Sequence, residues 1–222
     1  MTQRITIQLI MDIGKLRLKF ARDGFVIVPK FLNKKELMVL EQESNEAIKK
    51  NQIPVTGWGA KGVDKIHPWF HKQLRTGKHV ELLKALLEDD IEPVHAGFFD
   101  RTPGEKSGIS PHFDAVGHRS AGATIWIALD KTDTRNGCLY YAPRSHLRNY
   151  ENTLNLSFDT NPENAFPVEI NPGDAAIHDA RTVHWSFANK SQRSRRAIIY
   201  LYWAASSKPN HKKVRAQNAV PH

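Results

Sequence analysis

The pattern of apolar and polar residues changes along the chain, and the first 28 residues already show three different patterns. Residues 4–10 alternate polar and apolar side chains, which predicts a half-buried strand. Residues 12–22 favour a short helix that ends before Gly24. The apolar run 24–28 then predicts a buried strand, stopped by Pro29. The chain is therefore expected to open with a strand, a helix and a second strand.

A helix over residues 33–50 is predicted most clearly in the first half. Asn33, followed three residues later by Glu36, resembles a capping box, in which each side chain bonds the other residue's backbone N–H. Apolar residues then recur on one helical face, at Leu37, Leu40, Ala47 and Ile48. We expect this helix to lie outside the core sheet. A second helix is predicted over 79–88.

The segment between these helices, residues 51–78, shows no clear period and is interrupted by glycine and proline. Long loops of this kind in a compact domain are commonly functional lids. The loop carries cationic residues beside its tryptophans, namely Lys61, Lys65, His67, His71 and Lys72. Two interpretations of its larger side chains stay open. They pack against the domain, or some of them, with His67 and Trp69 as candidates, contact substrate.

The remainder of the chain predicts short strands separated by turn residues. The candidate strands are 92–100, 111–116, 121–129, 137–141, 166–170, 174–178, 182–187 and 195–204. Several short strands at this spacing indicate a sandwich or a barrel. No repeat or linker of the domain-boundary type occurs. We therefore expect a single domain over residues 1–206, followed by a basic tail over 207–222.

Composition narrows the class of protein without choosing a function. Of the 222 residues, 25% are charged and 40% are apolar, which is ordinary for a soluble globular protein. No apolar run approaches the roughly 20 residues that span a bilayer, and the first residues lack the apolar core of a signal peptide. Cys138 is the only cysteine, so no internal disulfide can form. We expect a cytoplasmic monomer or homodimer with no membrane partner.

The net charge of +9 raises the question of an anionic partner. Positive residues concentrate around 193–196 and in the tail, but no basic stripe interleaves with aromatic residues and no nucleic-acid-binding motif is present. A solvated basic surface or a small anionic substrate explains the charge as well. Nucleic acid is therefore not the expected partner.

His112 and Asp114 form a His-x-Asp pair, which two positions apart on a strand would project to one face. An imidazole and a carboxylate, joined by a distant histidine, make the 2-His-1-carboxylate facial triad that holds Fe(II) with open positions. From the residues alone the third ligand stays open among His95, His118, His146, His178 and His184.

A series of short motifs between residues 20 and 203 helps to choose among these candidates for the third ligand. They are segment 20–40, then 102–104, 112–114, 124–130, 136–139 and 143–146, and finally Gly173, Asp174, His184, Asn189, Ser191 and Arg195. In this order and spacing they resemble the phytanoyl-CoA dioxygenase family of Fe(II)- and 2-oxoglutarate-dependent oxygenases. The resemblance implies a mainly β fold, a double-stranded β-helix (jelly roll) of two sheets around the iron site, with flanking helices.

The resemblance also implies roles for individual residues. His112, Asp114 and His184 match the iron ligands, and Arg195 matches the arginine that pairs with the C5 carboxylate of 2-oxoglutarate. Arginine suits that task because its planar fork stays charged. Ser186 would add a hydroxyl donor. Trp126 lines the co-substrate pocket or is a core aromatic, and Arg101 contacts substrate or lies on the surface.

The chemistry implied is hydroxylation of a C–H bond of a small molecule, using Fe(II), 2-oxoglutarate and O2 and releasing succinate and CO2. Asp114 favours hydroxylation over halogenation, because related halogenases replace this carboxylate to admit chloride. Desaturation and cyclisation stay open. The basic charge favours a small anionic substrate such as a phosphonate or carboxylate. The alternative is an inactive jelly-roll module that binds nucleic acid or another anionic partner.

Overall fold

The computed structural model describes residues 2–50, 59–115, 121–150 and 156–207, with side chains from residue 13 onward. The helices are α1 Thr2–Asp23, α2 Lys34–Lys50, α3 Val63–Ile66, α4 Pro68–Thr76 and α5 His79–Leu87. The strands are β1 Phe25–Val28, β2 Ala60–Lys61, β3 Ile91–Arg101, β4 Ile109–His112, β5 Gly122–Ala128, β6 Leu139–Tyr141, β7 Phe166–Pro167, β8 Ala175–Asp179, β9 His184–Ser186 and β10 Arg195–Ala204.

Two antiparallel sheets form the body of the protein. The larger has the strand order β1-β8-β5-β10-β3-β2, and the smaller has the order β4-β9-β6-β7. This confirms the predicted fold of two sheets with flanking helices. Among the residues that the structure describes, none of the helices combines the length and hydropathy that a membrane span requires.

The larger sheet is covered on both faces, so successive residues of its strands face different cores. On the outer face, Ile125 and Ile198 pack with helix residues such as Phe70. On the inner face, Trp126 and Ile199 pack with residues of the smaller sheet. All seven residues of β5 are buried, as burial on both faces requires. The space between the two sheets is where the site lies.

Helix α2 begins with the predicted capping box. The Asn33 side-chain oxygen accepts hydrogen bonds from the backbone N–H groups of Lys35 and Glu36, at 2.9 and 3.0 Å. The Glu36 carboxylate in turn accepts from the Asn33 backbone N–H at 2.8 Å. These bonds satisfy donors that a helix start otherwise leaves without partners. The predicted helices at 33–50 and 79–88 are confirmed.

The strand predicted for residues 4–10 is wrong, because α1 runs as one helix from Thr2 to Asp23. Alternation over so few residues is weak evidence, and no turn residue separates it from the helical run over 12–22. A continuous helix pairs its backbone groups internally, whereas an N-terminal strand needs a partner strand. The helix ends where Gly24 adopts a φ of 86°, and β1 follows.

The described part of segment 51–78, residues 59–78, is not the irregular loop expected from its composition. Within its described part, the elements β2, α3 and α4 occupy most positions from residue 60 onward. The residues that suggested a loop stand at element boundaries: Gly62 precedes α3, and Pro68 is the first residue of α4, where proline is tolerated. Phe70 is fully buried against the outer face of the larger sheet. Residues 51–58 and the tail from 208 onward lie outside the described residues.

Candidate active site

Three predicted ligands converge between the sheets. One potential ligand atom from each of His112, Asp114 and His184 lies within 4.8 Å of the others. His112 is the last residue of β4 and His184 the first residue of β9, and the two are directly opposite in the antiparallel pairing. Cross-strand pairing therefore brings the rings together, with their centroids 4.2 Å apart.

Asp114 lies just beyond the end of β4, in a bend, so it does not occupy the strand position that its spacing from His112 predicted. Its Oδ2 accepts hydrogen bonds from the Thr124 hydroxyl at 2.6 Å and from Nε2 of His178 at 3.0 Å. Its Oδ1 lies 3.9 Å from Nε2 of His184. These contacts, and not a strand, aim the carboxylate at the two histidines.

The charge state of the carboxylate follows from these neighbours. Burial by itself would raise the pKa of Asp114, yet the interaction with the neighbouring His184 and the hydrogen bond from His178 outweigh it and hold that pKa well below its usual range. Asp114 is therefore ionised at neutral pH and can serve as a ligand.

Hydrogen bonds to the backbone orient both imidazoles. Nδ1 of His112 lies 2.8 Å from the carbonyl oxygen of Ser110, and Nδ1 of His184 lies 3.0 Å from that of Thr182. A carbonyl only accepts, so each Nδ1 carries the proton and each Nε2 keeps its lone pair for a metal. Burial, followed by the neighbouring histidines, lowers the pKa of His184 well below its ordinary value. The two Nε2 atoms, with the carboxylate, form the N,N,O donor set typical of non-haem Fe(II) sites.

Arg195 supplies a buried cation in the same cavity. Only 1% of its surface is exposed, and its Nε and Nη1 have no hydrogen-bond partner among the described residues. Burial, and secondarily the charge of Arg101, lowers the pKa of Arg195 to about 10, so it stays protonated at neutral pH. Buried donors without partners are costly and point to a missing acceptor. A dicarboxylate such as 2-oxoglutarate fits this requirement.

Arg196, the next residue, faces the other way. Its guanidinium donates to both carboxylate oxygens of Asp130, at 3.0 and 2.8 Å. The strand alternation of β10 therefore separates the two cations. Arg195 is directed to the cavity, while Arg196 is held in a half-exposed ion pair.

Trp126 and Ser186 are both buried near these groups. The guanidinium carbon of Arg195 lies 5.5 Å from the Trp126 ring centroid, close enough for a cation–π contact, and Trp126 lines the cavity. Ser186 lies two residues after His184 on β9, and its hydroxyl oxygen accepts from the backbone N–H of Ile109 at 3.2 Å. Its hydroxyl proton therefore remains for a further acceptor.

The three residues considered for substrate contact have different positions. Arg101 is opposite Arg195 on β3 and is only 2% exposed, so the surface alternative is excluded; it forms an ion pair with Glu105. His67 lies outside the sheets, with its Nε2 3.7 and 3.9 Å from carboxylate oxygens of Glu43 and Glu46 of α2. Trp69 packs edge-on against Phe70. The structure does not bring His67 or Trp69 to the cavity that holds the triad.

The cavity, about 470 Å³ in volume, contains residues that sequence reasoning did not assign to the site. They are Lys61, His95, Thr124 and His178, with apolar walls from Phe99, Ile109, Ile199 and Leu201. The sequence identifies His95 and His178 only as alternatives for the third metal ligand. The pairing of β3, β5, β8 and β10 places both histidines on the same face of the larger sheet as Arg195. They can therefore be assigned to the cavity once the strand order is known.

Comparisons with known proteins agree with this geometry. The family model for phytanoyl-CoA dioxygenase (PhyH) matches residues 20–197. Dioxygenase lolE1 of Epichloe uncinata is 25% identical over 163 residues, covering 69% of this chain and 62% of its own length. The chain thus spans less than two thirds of that relative. Methylphosphonate hydroxylase of Gimesia maris is 24% identical over 220 residues, covering 83% of this chain and 78% of its own length.

Solved structures share the fold. The epimerase SnoN, in complex with Fe3+, alpha ketoglutarate and nogalamycin RO, superposes with a TM-score of 0.78 at 20% identity, covering 95% of this chain and 91% of its own. Identity at that level supports the fold alone, whereas the family match covers most of the sequence. The chain belongs to the phytanoyl-CoA dioxygenase family.

Proposed function

We propose that this protein hydroxylates a C–H bond of a small anionic molecule, with His112, Asp114 and His184 as the iron ligands. The proposal rests on one cavity that contains both a complete N,N,O donor set and a buried arginine whose Nε and Nη1 have no hydrogen-bond partner among the described residues. A metal site alone would suit many proteins. A metal site joined to a binding site for a carboxylate suits a dicarboxylate co-substrate.

Each residue has a defined task in this proposal. Arg195 and Ser186 bind the far carboxylate of 2-oxoglutarate, and Trp126 supports the guanidinium. When bound, iron and 2-oxoglutarate supply the oxidising chemistry with O2, and succinate and CO2 are released. The protein orients both reactants and excludes water through apolar walls such as Phe99 and Ile199. Desaturation or cyclisation would use the same residues, so the outcome depends on substrate position.

The substrate class is proposed from charge and from one relative. The net charge of +9 favours anionic ligands, and the methylphosphonate hydroxylase that matches most of this chain is named for a small phosphonate. A phosphonate, phosphate ester or carboxylate of small size is therefore the first class to test. A cytoplasmic location remains a prediction from the single cysteine.

A succinate-release screen tests this function. The purified protein, supplied with Fe(II), 2-oxoglutarate and O2, is incubated with small anionic, neutral and cationic metabolites. We expect anionic compounds to increase succinate release, and Fe(II) with 2-oxoglutarate to raise Tm because both bind the native state. Turnover of neutral or cationic compounds alone would contradict the anionic class. Absence of any Tm shift with Fe(II) and 2-oxoglutarate would contradict the proposed function as a whole.

The second candidate, an inactive module that binds nucleic acid through its basic surface, rests on net charge alone. Several cations are already paired within the described chain: Arg193 with Asp133, and Lys78 with Glu36. Nucleic-acid binding by this route would weaken steeply with salt because counterions are released. Absence of binding to DNA or RNA at low salt would remove this candidate.

A further inference from the structure

Lys61 approaches the cavity from the edge of the larger sheet. In the short strand β2, Ala60 pairs with Phe98 and Lys61 pairs with Gly97. Ala60 and Phe98 belong to the outer core, so alternation turns Lys61 to the inner face. The lysine lines the cavity while remaining exposed. No carboxylate of the described residues forms an ion pair with it.

His95 lies on the same inner face, two residues before Gly97 on β3. Its Nε2 is buried and has no hydrogen-bond partner in the part of the chain that the structure describes. Burial, followed by the charge of Lys61, lowers the pKa of His95, so the ring is neutral at neutral pH and offers one N–H donor. The pair thus combines one accessible positive charge with one unsatisfied imidazole nitrogen.

The strand register sets this pair apart from the co-substrate site. His95 is opposite Leu201, which is opposite Thr124, the residue that donates to Asp114. Two strand spacings separate His95 from Thr124, about 10 Å. Arg195 precedes Leu201 by six positions in β10, about 20 Å along the strand. The cavity therefore has one cation, Lys61, beside His95 and another, Arg195, at a separate place. The far carboxylate of 2-oxoglutarate pairs with Arg195 and leaves Lys61 available.

We propose that Lys61 and His95 bind the anionic group of the substrate, a phosphonate, phosphate or carboxylate, away from Arg195. This inference rests on the proposed function, since it takes Arg195 as the 2-oxoglutarate site. Lysine contributes the charge and His95 a directed hydrogen bond. The apolar residues beside the pair, Phe99 and Leu201, then contact the carbon part of the substrate. In this position the C–H bond to be oxidised faces His112, Asp114 and His184.

Calorimetric titration of the anaerobic protein, loaded with Fe(II) and saturated with 2-oxoglutarate, tests the assignment without turnover. The probes are methylphosphonate, inorganic phosphate and acetate. We expect at least one probe to bind the wild type and Lys61→Met to weaken it about tenfold or more, as loss of a charged hydrogen bond does. Lys65→Met, an exposed lysine outside the cavity lining, is the matched control and should bind as the wild type does.

A second variant tests the imidazole separately. His95→Leu removes the donor and should weaken the same probe, whereas His95→Gln retains an N–H donor and should restore part of the affinity. Equal probe affinity in the wild type and Lys61→Met, or no probe binding to the wild type, would overturn the assignment. In either case normal 2-oxoglutarate binding would leave the proposed function intact, and its absence would refute that function.

Discussion

His178 donates a hydrogen bond from Nε2 to Oδ2 of Asp114 across 3.0 Å. The opposite nitrogen, Nδ1, lies 2.9 Å from the Tyr141 hydroxyl. Since an ionised carboxylate only accepts, Nε2 of His178 carries the proton of this hydrogen bond. Thr124 donates to the same Oδ2, so that oxygen is fully engaged and Oδ1 is left towards His184. The carboxylate is thereby positioned to offer one oxygen to a metal.

Replacing His178 should therefore weaken metal binding. We expect His178→Ala to reduce Fe(II) affinity by about 10- to 100-fold, the range found for partners that orient metal ligands. Tyr141→Phe, which removes only the outer hydrogen bond, should have a smaller effect. Anaerobic Fe(II) titration measures both variants directly. Unchanged affinity in His178→Ala would mean that the hydrogen bond does not position Asp114.

Arg195 and Arg196 provide a matched pair for the co-substrate site. Arg195→Ala would leave the far carboxylate of 2-oxoglutarate buried without its cation, a loss of about 3–5 kcal/mol. The KM for 2-oxoglutarate should rise by at least about two orders of magnitude. Arg196→Ala breaks a half-exposed pair with Asp130 and should be mild. The opposite ranking in succinate assays would show that the inward register of β10 is off by one residue.

His79 makes stability dependent on pH. It is buried and stacked on Tyr200, and its Nε2 bonds the Tyr202 hydroxyl, which itself donates to the Leu74 carbonyl. Burial lowers the pKa of His79 to about 3. Protonation therefore favours the unfolded chain, whose histidine has a pKa near 6.5, and stability is present above that value and falls between about 6.5 and about 3.

The size of this effect is measurable at pH 5. There His79 should cost the wild type about 2 kcal/mol of unfolding free energy relative to pH 7. Urea unfolding of wild type and His79→Gln at both pH values isolates the contribution, because other groups contribute equally to both proteins. An identical loss in the two proteins would show that His79 titrates normally in the folded state.

Gly24 and Gly14 make a matched test of backbone conformation. At Gly24, φ is 86°, and an added Cβ would lie 2.4 Å from the His146 ring and 2.5 Å from the Thr182 hydroxyl. Gly24→Ala should lower the free energy of unfolding by several times the roughly 1 kcal/mol that separates glycine from alanine inside a helix. At Gly14, inside α1, no described atom outside the adjoining helix backbone lies within 4 Å of an added Cβ, so Gly14→Ala should stabilise slightly. Thermal unfolding of both variants measures the contrast, and equal Tm values would contradict it.

Local chemistry made several elements predictable. The capping box at Asn33 and Glu36 involves residues only three positions apart. The strand that begins at Arg195 was predictable because its pattern lies within one continuous segment. Segment 60–76 was not predictable in the same way, because its short helices are stabilised by packing Phe70 and Leu74 on a distant sheet. Propensity carries little information about such tertiary burial.

The composition of the cavity was predictable only in part. His112 and His184 were named from motifs, but their proximity is a pairing of strands 72 positions apart, from residue 112 to residue 184. Lys61, His95 and His178 come together through the order β8-β5-β10-β3-β2, in which most neighbours are distant in sequence. The sequence of one strand shows which residues share a face. It does not show which faces of different strands line the same cavity until the strand order and register are known.

Formation of succinate from 2-oxoglutarate by the purified protein tests whether His112, Asp114 and His184 hold a working iron centre. With Fe(II) and O2, the wild type should convert 2-oxoglutarate to succinate, faster with substrate. His112→Ala and His184→Ala should both abolish this conversion while retaining the fold, as judged by circular dichroism. Succinate formation that persists in both variants would contradict the assignment of His112, Asp114 and His184 as the iron ligands.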